Sequence, residues 1–170
     1  MLEETSLTAP PPLSACYGRM GEPGRVPSTG TRSKRILHGA LTVWSGEGLL
    51  LRTTAWGQEP HQYFLRMIRA QWRGGQIVRC EDRGSPQTAA DSLEVAGDLA
   101  MERRFLPTAP PELTALEQLW RRVKGRTVAS RATQSLAASA DEACQYIWAL
   151  RPHERLQQAG VLSGNFWLTT

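Results

Sequence analysis

A chain of 170 residues is long enough for one domain with a buried core and too short for two of ordinary size. Its 41% apolar and 21% charged residues exclude wholesale disorder. The 20 Lys and Arg residues against 16 Asp and Glu give a formal charge of +4, which permits a polyanionic partner without requiring one. We therefore expect a single domain over residues 1–170.

The cysteines and the hydropathy indicate a reducing, aqueous compartment. Cys16, Cys80 and Cys144 lie far apart and show neither zinc-ligand spacing nor a disulfide framework. No signal peptide is visible, and no apolar run approaches the ~20 residues that span a bilayer. We expect a cytoplasmic protein that has no membrane partner.

The N-terminal part of the chain predicts a loop and a hairpin. Residues 9–33 are rich in Pro, Gly, Ser and Thr, which is typical of an extended loop. An apolar run over 36–44, a turn at 45–48 and a second run over 49–54 predict a β-hairpin.

The rest of the chain alternates between helices and strands. Phe64, Leu65, Ile68 and Trp72 recur at helical spacing and predict a helix over 60–72. The elements predicted after it are a strand at 76–82, a weaker helix at 88–101, a strand at 103–106, a helix at 114–125, and a C-terminal helical segment over 135–170 with helices near 135–149 and 152–159. This alternation indicates an α/β fold, a mixed sheet flanked by helices.

Two acids lie at the edge of such a sheet where ligands usually bind. Asp82 ends one predicted strand, and Glu117 lies near the start of the helix that follows the next strand. Because ligands bind at the carboxyl ends of parallel strands, we expect these carboxylates to converge. Cations follow Glu117 on the same helix, at Arg121, Arg122, Lys124 and Arg126. Acids beside cations suit metal-assisted cleavage of nucleic acid.

Each of these residues also has a simpler interpretation. Glu117 and Arg121 are spaced as a surface ion pair that contributes ~0.2–0.5 kcal/mol. Asp82 precedes a Gly-Ser-Pro turn and can serve as a turn former. Glu3 can be a frayed terminal acid, and the cations a solvated helix face. Trp120 and Val123 fit the core better than DNA stacking, and the three histidines show no mutual spacing that suggests a role.

Several short motifs occur in an order that resembles a known family. They are Glu4-Thr5-Ser6-Leu7, Gly39-Ala40-Leu41, Asp82-Arg83-Gly84-Ser85-Pro86, Pro110-Pro111-Glu112-Leu113 with Glu117-Gln118-Leu119-Trp120, and Gly160-Val161-Leu162-Ser163-Gly164-Asn165-Phe166-Trp167. In these motifs the chain resembles the DDE catalytic domain of bacterial insertion-sequence transposases related to the mariner superfamily. The resemblance covers nearly the whole chain.

The resemblance implies a ribonuclease-H-like fold and a metal-dependent DNA endonuclease. Three acids of the family hold two divalent ions, Mg²⁺ or Mn²⁺, and here they correspond to Glu3, Asp82 and Glu117. The implied partners are double-stranded DNA, at the element ends and the target, and a second copy of the chain or a full-length transposase. The chain departs from the family at Glu3, where an aspartate is expected, at Gln87, where histidine is usual, and at Thr114-Ala115, where Asn-Pro is usual.

The position of Glu3 shapes the expected activity. Only two residues precede it, so we expect the central first strand to be largely missing and the transposase domain to be truncated at its N-terminus. Unpaired ladder groups on the neighbouring strands would each cost ~1–3 kcal/mol. We therefore expect a fragment with little or no activity alone, and weak DNA binding without sequence preference. The alternative is a non-catalytic remnant that binds DNA or a transposase partner as a regulator.

Overall fold

The computed structural model describes residues 1–9, 32–106, 114–129, 135–164 and 166–167. In this part of the chain the elements are, in order, β1 (Leu2–Ala9), β2 (Ser33–Leu41), β3 (Gly48–Thr53), α1 (Gln58–Gln71), β4 (Ile77–Glu81), α2 (Ser85–Thr88), α3 (Ala90–Asp98), β5 (Met101–Phe105), α4 (Ala115–Thr127), α5 (Leu136–Ala149) and α6 (Pro152–Gln158). Most of the predicted loop over 9–33 and all of Pro110-Pro111-Glu112-Leu113 lie outside the described residues.

The strands of the described residues form two sheets. One sheet has the antiparallel order β1-β2-β3, and its register pairs Glu3 with Gly39 and Leu41 with Gly48. The second sheet pairs β4 with β5 in parallel. Strands β1 and β4 are neighbours in space, although no backbone ladder joins them within the described ranges. Parallel and antiparallel pairs together give the mixed architecture that the sequence predicts.

The first strand corrects one expectation. It is not largely missing: β1 has eight residues and pairs with β2 from Leu2 to Ala9. The α-amino group of Met1 continues the ladder by donating to the carbonyl oxygen of Leu41 at 2.9 Å. Successive side chains of a strand point to opposite faces, so Leu2 and Leu7 enter different cores. Burial of these two leucines, with the ladder to β2, holds a strand that is otherwise polar.

Helices cover both faces of the sheet. On one face, α4, α5 and α6 pack against Leu7 and Leu37 in a core that includes Trp120 and Val123. On the other face, α1 and α3 pack against Leu2 in a second core that includes Phe64. Trp120 and Val123 are buried, which confirms their predicted place in the core.

Some predicted boundaries shift because local hydrogen bonds decide them. Strand β2 ends at Leu41, since the amide of Thr42 donates to Glu47 and that of Gly46 donates to Thr42 in a turn that includes Trp44. Gly46 has a φ of 72°, a conformation that favours glycine. The helix predicted over 88–101 is shorter: α3 spans Ala90–Asp98, and the extended residue Ala89 separates it from the short helix α2, which ends at Thr88.

The described helices are short. The longest, α1 and α5, have 14 residues each. None of the helices in the described ranges combines the length and the apolar character that a bilayer crossing requires.

Gly39 lets Trp120 reach the sheet. A Cβ added at Gly39 would lie 2.5 Å from the indole ring of Trp120, far inside van der Waals contact. We predict that Gly39→Ala destabilises the protein by about 1–3 kcal/mol through overpacking, measured as a lower denaturation midpoint in urea.

Gly125→Ala is the matched control for that substitution. Gly125 lies in α4, and nothing approaches within 4 Å of an added Cβ. This control should raise stability by about 0.5–1 kcal/mol because alanine favours the helix. Equal effects of the two substitutions would contradict the packing role of Gly39.

Candidate active site

The three predicted acids come from three elements. Glu3 lies on β1, Asp82 is the first residue after β4, and Glu117 lies in the first turn of α4. Strand alternation places Glu3 on the same face of β1 as Leu7, which is the face that α4 covers. Glu3 and Glu117 therefore belong to the same layer of the molecule.

Glu3 has the most unusual environment of the three. Its Oε2 atom is buried and has no hydrogen-bond partner among the described residues. Burial is the main cause that raises the pKa of Glu3 to about 8; the charges of Glu117, Asp82 and Glu4 act in the same direction, whereas Lys124 lowers it. Asp82 and Glu117 are therefore close enough to act on Glu3 electrostatically. The frayed, solvated terminal acid is excluded, because Glu3 is paired in β1 and largely covered.

Asp82 is exposed and begins a turn. Its Oδ1 atom accepts a hydrogen bond from the amide of Gly84 at 3.2 Å. Helix α2 starts at the next residue, Ser85. The simple interpretation of Asp82 as a turn former is therefore correct, and this bond also fixes the direction of its side chain at the end of β4.

Glu117 is half-buried, with 36% of its side chain exposed. Its Oε1 atom lies 3.6 Å from Nη2 of Arg121, one turn later on α4. The predicted surface pair is therefore present. At this distance and exposure it is a weak interaction, and a stronger cation can displace Arg121 from the carboxylate.

The donor atoms, but not their present arrangement, suit a divalent cation. Among the residues that the structure describes, no group of three or more His, Cys, Asp and Glu side chains is placed to hold a metal ion. Carboxylate oxygens are the ligands that Mg²⁺ and Mn²⁺ prefer, and the buried oxygen of Glu3 lacks a donor. Glu3, Asp82 and Glu117 fit such an ion by chemistry, and binding it would require the three side chains to draw together.

The four predicted DNA-binding cations split into two groups on α4. At 3.6 residues per turn, Arg121 and Lys124 lie within about 40° of Glu117 around the helix axis. Arg122 and Arg126 lie about 140° or more away from it. Arg126 packs its guanidinium over the ring of Tyr146 at 5.0 Å from the centroid. Only Arg121 and Lys124 therefore share the face of the candidate site.

Sequence reasoning missed a polar cluster behind the acids. Glu4 lies on the opposite face of β1 from Glu3 and contacts His38, His61 and Gln87, which are all buried. Burial alone would raise the pKa of Glu4, but hydrogen bonds from the two histidines and their charges lower it to about 2. The alternation of side chains along β1 could have predicted this cluster, since it places the adjacent residues Glu3 and Glu4 on opposite faces of the sheet.

A second buried acid lies at the end of β4. Glu81 is fully buried, and both its oxygens lie 2.8 Å from Nη1 of Arg79. Burial raises the pKa of Glu81 to about 7 despite that pairing. Glu81 therefore belongs to the interior of the domain. Asp82, the next residue and the first one after β4, is exposed to solvent.

Comparison with known proteins relates this architecture to transposases. No protein-family model and no curated protein sequence matches the chain. A Mos1 transposase paired-end complex with the left transposon end aligns with a TM-score of 0.67 and 16% identity, over 93% of this chain and 50% of that chain. The mariner Mos1 paired-end complex with Mg gives the same values. The catalytic domain of Mos1 mariner transposase gives a TM-score of 0.57 and 16% identity, over 75% of this chain and 68% of that chain.

These similarities establish the fold. The chain has the ribonuclease-H-like fold of the Mos1 catalytic domain, which confirms the predicted fold class. It spans about half the length of the transposase chains in the paired-end complexes.

The buried state of Glu3 should make stability depend on pH. Its pKa is about 8 in the folded protein against 4.5 when solvated, so the folded state keeps a proton that the unfolded state releases between these values. Stability should therefore fall as pH rises from about 4.5 to about 8. We predict that Glu3→Gln raises the melting temperature at pH 8.5 by several degrees, on the order of 1–3 kcal/mol, and changes it little at pH 4.

Glu94→Gln, at an exposed position of α3, is the control and should leave the pH dependence as it is. Some slope should remain in Glu3→Gln, because Glu81 acts in the same direction up to about pH 7. Parallel melting curves for the parent and Glu3→Gln across this range would show that Glu3 is not buried as described.

Proposed function

We propose that the chain is the catalytic-domain part of a DNA transposase of the mariner-related, insertion-sequence type, and that it cleaves and joins DNA strands with divalent metal ions. The observation that supports the proposal is a buried Glu3 on which the charges of Glu117 and Asp82 act, within a fold shared with the Mos1 catalytic domain. The Mos1 structures include complexes with transposon end DNA and with Mg or Mn. In this proposal double-stranded DNA is the substrate of the present chain, and Mg²⁺ or Mn²⁺ its cofactor.

Each acid has a defined part in this reaction. Two ions held by carboxylates would supply an activated oxygen nucleophile and charge that stabilises the leaving 3′ oxygen. Asp82, at the end of β4, is held by the amide of Gly84 and would supply a carboxylate ligand. Glu117 must release the guanidinium of Arg121 before its carboxylate can bind a metal cation. Glu3 must lose its proton before it can do so. The loss of the Glu3 proton favours activity at alkaline pH.

The activity of the chain alone should be reduced. Glutamate in place of the family's aspartate adds one methylene and moves the carboxylate by about an ångström, an error that can cost ~10²-fold in rate. The second reason for expecting inactivity, a missing first strand, no longer applies, since β1 pairs along its whole length with β2.

Nicking of supercoiled plasmid DNA tests the catalytic proposal. We predict slow, metal-dependent nicking that Asp82→Asn abolishes, and a rate that Glu3→Asp raises by about 10-fold or more because it restores the carboxylate position. Asp91→Asn, an exposed aspartate of α3, should leave the rate unchanged. Nicking that persists in Asp82→Asn would assign the activity elsewhere.

The two groups of α4 cations should differ in their effect on DNA binding. We predict that Arg121→Gln with Lys124→Gln weakens duplex binding and lowers its salt dependence more than Arg122→Gln with Arg126→Gln does, although both pairs remove the same charge. Fluorescence anisotropy at several salt concentrations measures this. Equal losses would indicate a general charge effect, not a DNA path along the acidic face.

A non-catalytic role is the second candidate. It is favoured by the absence of a metal-holding group among the described residues and by the local roles of Asp82 and Glu117. Such a remnant would bind DNA, or pair with a second copy or a full-length transposase, and regulate transposition. Asp82→Asn separates the two functions: a regulator retains its inhibitory or DNA-binding effect, whereas an enzyme loses its activity.

A further inference from the structure

The candidate site spans the boundary between the two sheets, where β1 lies beside β4; we call this boundary the seam. Glu3 belongs to the β1-β2-β3 sheet, whereas Asp82 follows β4 of the other sheet. Among the described residues, no backbone ladder crosses from β1 to β4. The distance between Glu3 and Asp82 is therefore set by side chains that span the seam.

A cavity lies along the N-terminal part of this seam. It has a volume of about 380 Å³, and its lining includes Met1, Leu2 of β1, and Ile77, Val78 and Arg79 of β4. The strands meet here through apolar packing, since Leu2 and Ile77 belong to the same core. Hydrogen bonds from β1 toward the β4 side come from the other end, where the acids are.

Glu4 supplies those contacts. Only 8% of its side chain is exposed, and its Oε1 atom lies 3.4 Å from Nδ1 of His38 and 3.2 Å from Nδ1 of His61. Its Oε2 atom accepts a hydrogen bond from Nε2 of Gln87 at 2.5 Å. An ionised carboxylate only accepts, so both imidazoles present Nδ1–H. His38 belongs to β2 on the same side of the seam, whereas Gln87 belongs to α2 on the far side.

Gln87 is itself fixed to the Asp82 segment. It is buried, and its backbone oxygen accepts a hydrogen bond from Nη1 of Arg103 in β5 at 2.9 Å. A Cβ at Gly84 would lie 2.2 Å from Oε1 of Gln87, so any other residue there would require this amide to shift. The amide of Gly84 in turn donates to Asp82. A continuous path of contacts therefore runs from β1 to Asp82.

We propose that Glu4 and Gln87 are a positioning pair that holds Asp82 against Glu3 across the seam. The pair touches neither metal nor DNA; it acts through the segment 82–88. The inference rests on the proposed function for its effect on metal binding, but the structural link can be tested without it. It also gives a role to Gln87, which sequence analysis had noted only as a departure from the family.

The test uses the full chain with Gln87→Leu, which removes the amide donor and leaves an apolar side chain of similar size. Mn²⁺ affinity is measured by electron paramagnetic resonance, and amide exchange over 82–89 by mass spectrometry in metal-free buffer. We expect Gln87→Leu to weaken Mn²⁺ binding by about 10- to 100-fold, as loss of supporting contacts around metal ligands does. Exchange over 82–89 should become about tenfold faster, while exchange in α5 stays as in the parent.

Gln76→Leu is the matched control. It removes another Gln–Glu hydrogen bond, from Nε2 of Gln76 to Oε2 of Glu102 at 2.8 Å, but that bond joins the residue before β4 to β5 and does not cross the seam. It should change neither Mn²⁺ affinity nor exchange over 82–89. Gly84→Ala should reproduce Gln87→Leu, because the added methyl displaces the amide from Glu4.

The outcomes separate the two proposals. If the parent binds Mn²⁺ and Gln87→Leu binds it equally well with unchanged exchange, the positioning pair is wrong and the proposed function stands. If the parent binds no Mn²⁺ but Gln87→Leu still loosens 82–89, the structural link is supported and the metal-dependent function fails. Glu4→Gln combined with Gln87→Leu should be no worse than the more damaging single change, since both break the same bond.

Discussion

The alternation of side chains along β1 is the constraint on which the rest of the structure depends. Leu2 and Leu7 enter separate cores on opposite faces of the sheet, and the same alternation sends Glu3 toward α4 and Glu4 toward α1. A slip of one residue in the β1–β2 register would exchange the environments of the two glutamates and move each leucine to the opposite core. Pairing with β2 along the whole strand therefore fixes the core and the candidate site together.

The two adjacent glutamates show what burial does to a carboxylate with and without donors. Glu4 is surrounded by His38, His61 and Gln87, and its pKa falls to about 2. Glu3 is also covered, but its buried oxygen lacks a donor and other carboxylates are near, so its pKa rises to about 8. Near neutral pH Glu3 therefore keeps its proton, which removes the buried charge. In the proposed function a divalent cation would take the place of that proton.

The features that suggest a simple structural role and those that suggest catalysis are compatible. Asp82 forms the turn after β4, and the hydrogen bond that makes the turn also orients its carboxylate. Glu117 pairs with Arg121, yet that pair is long and half-exposed, so it leaves the carboxylate available. The departures from the family lie around this region as well, and one of them, Gln87, is built into the contacts of the Asp82 segment.

Local patterns in the sequence determined the α/β class, the helices α1 and α4, the buried side of α4 with Trp120, and the positions of Asp82 and Glu117 at element ends. These follow from periodicity and from contacts within a turn or two of helix, which neighbouring residues encode directly. Tertiary structure alone decided that β1 forms from a mostly polar segment, because that strand depends on its ladder with β2 and on two cores. It also decided the cluster around Glu4, whose partners are 34, 57 and 83 residues away. Such contacts leave no periodic pattern in the sequence, since they form only when separate elements pack together.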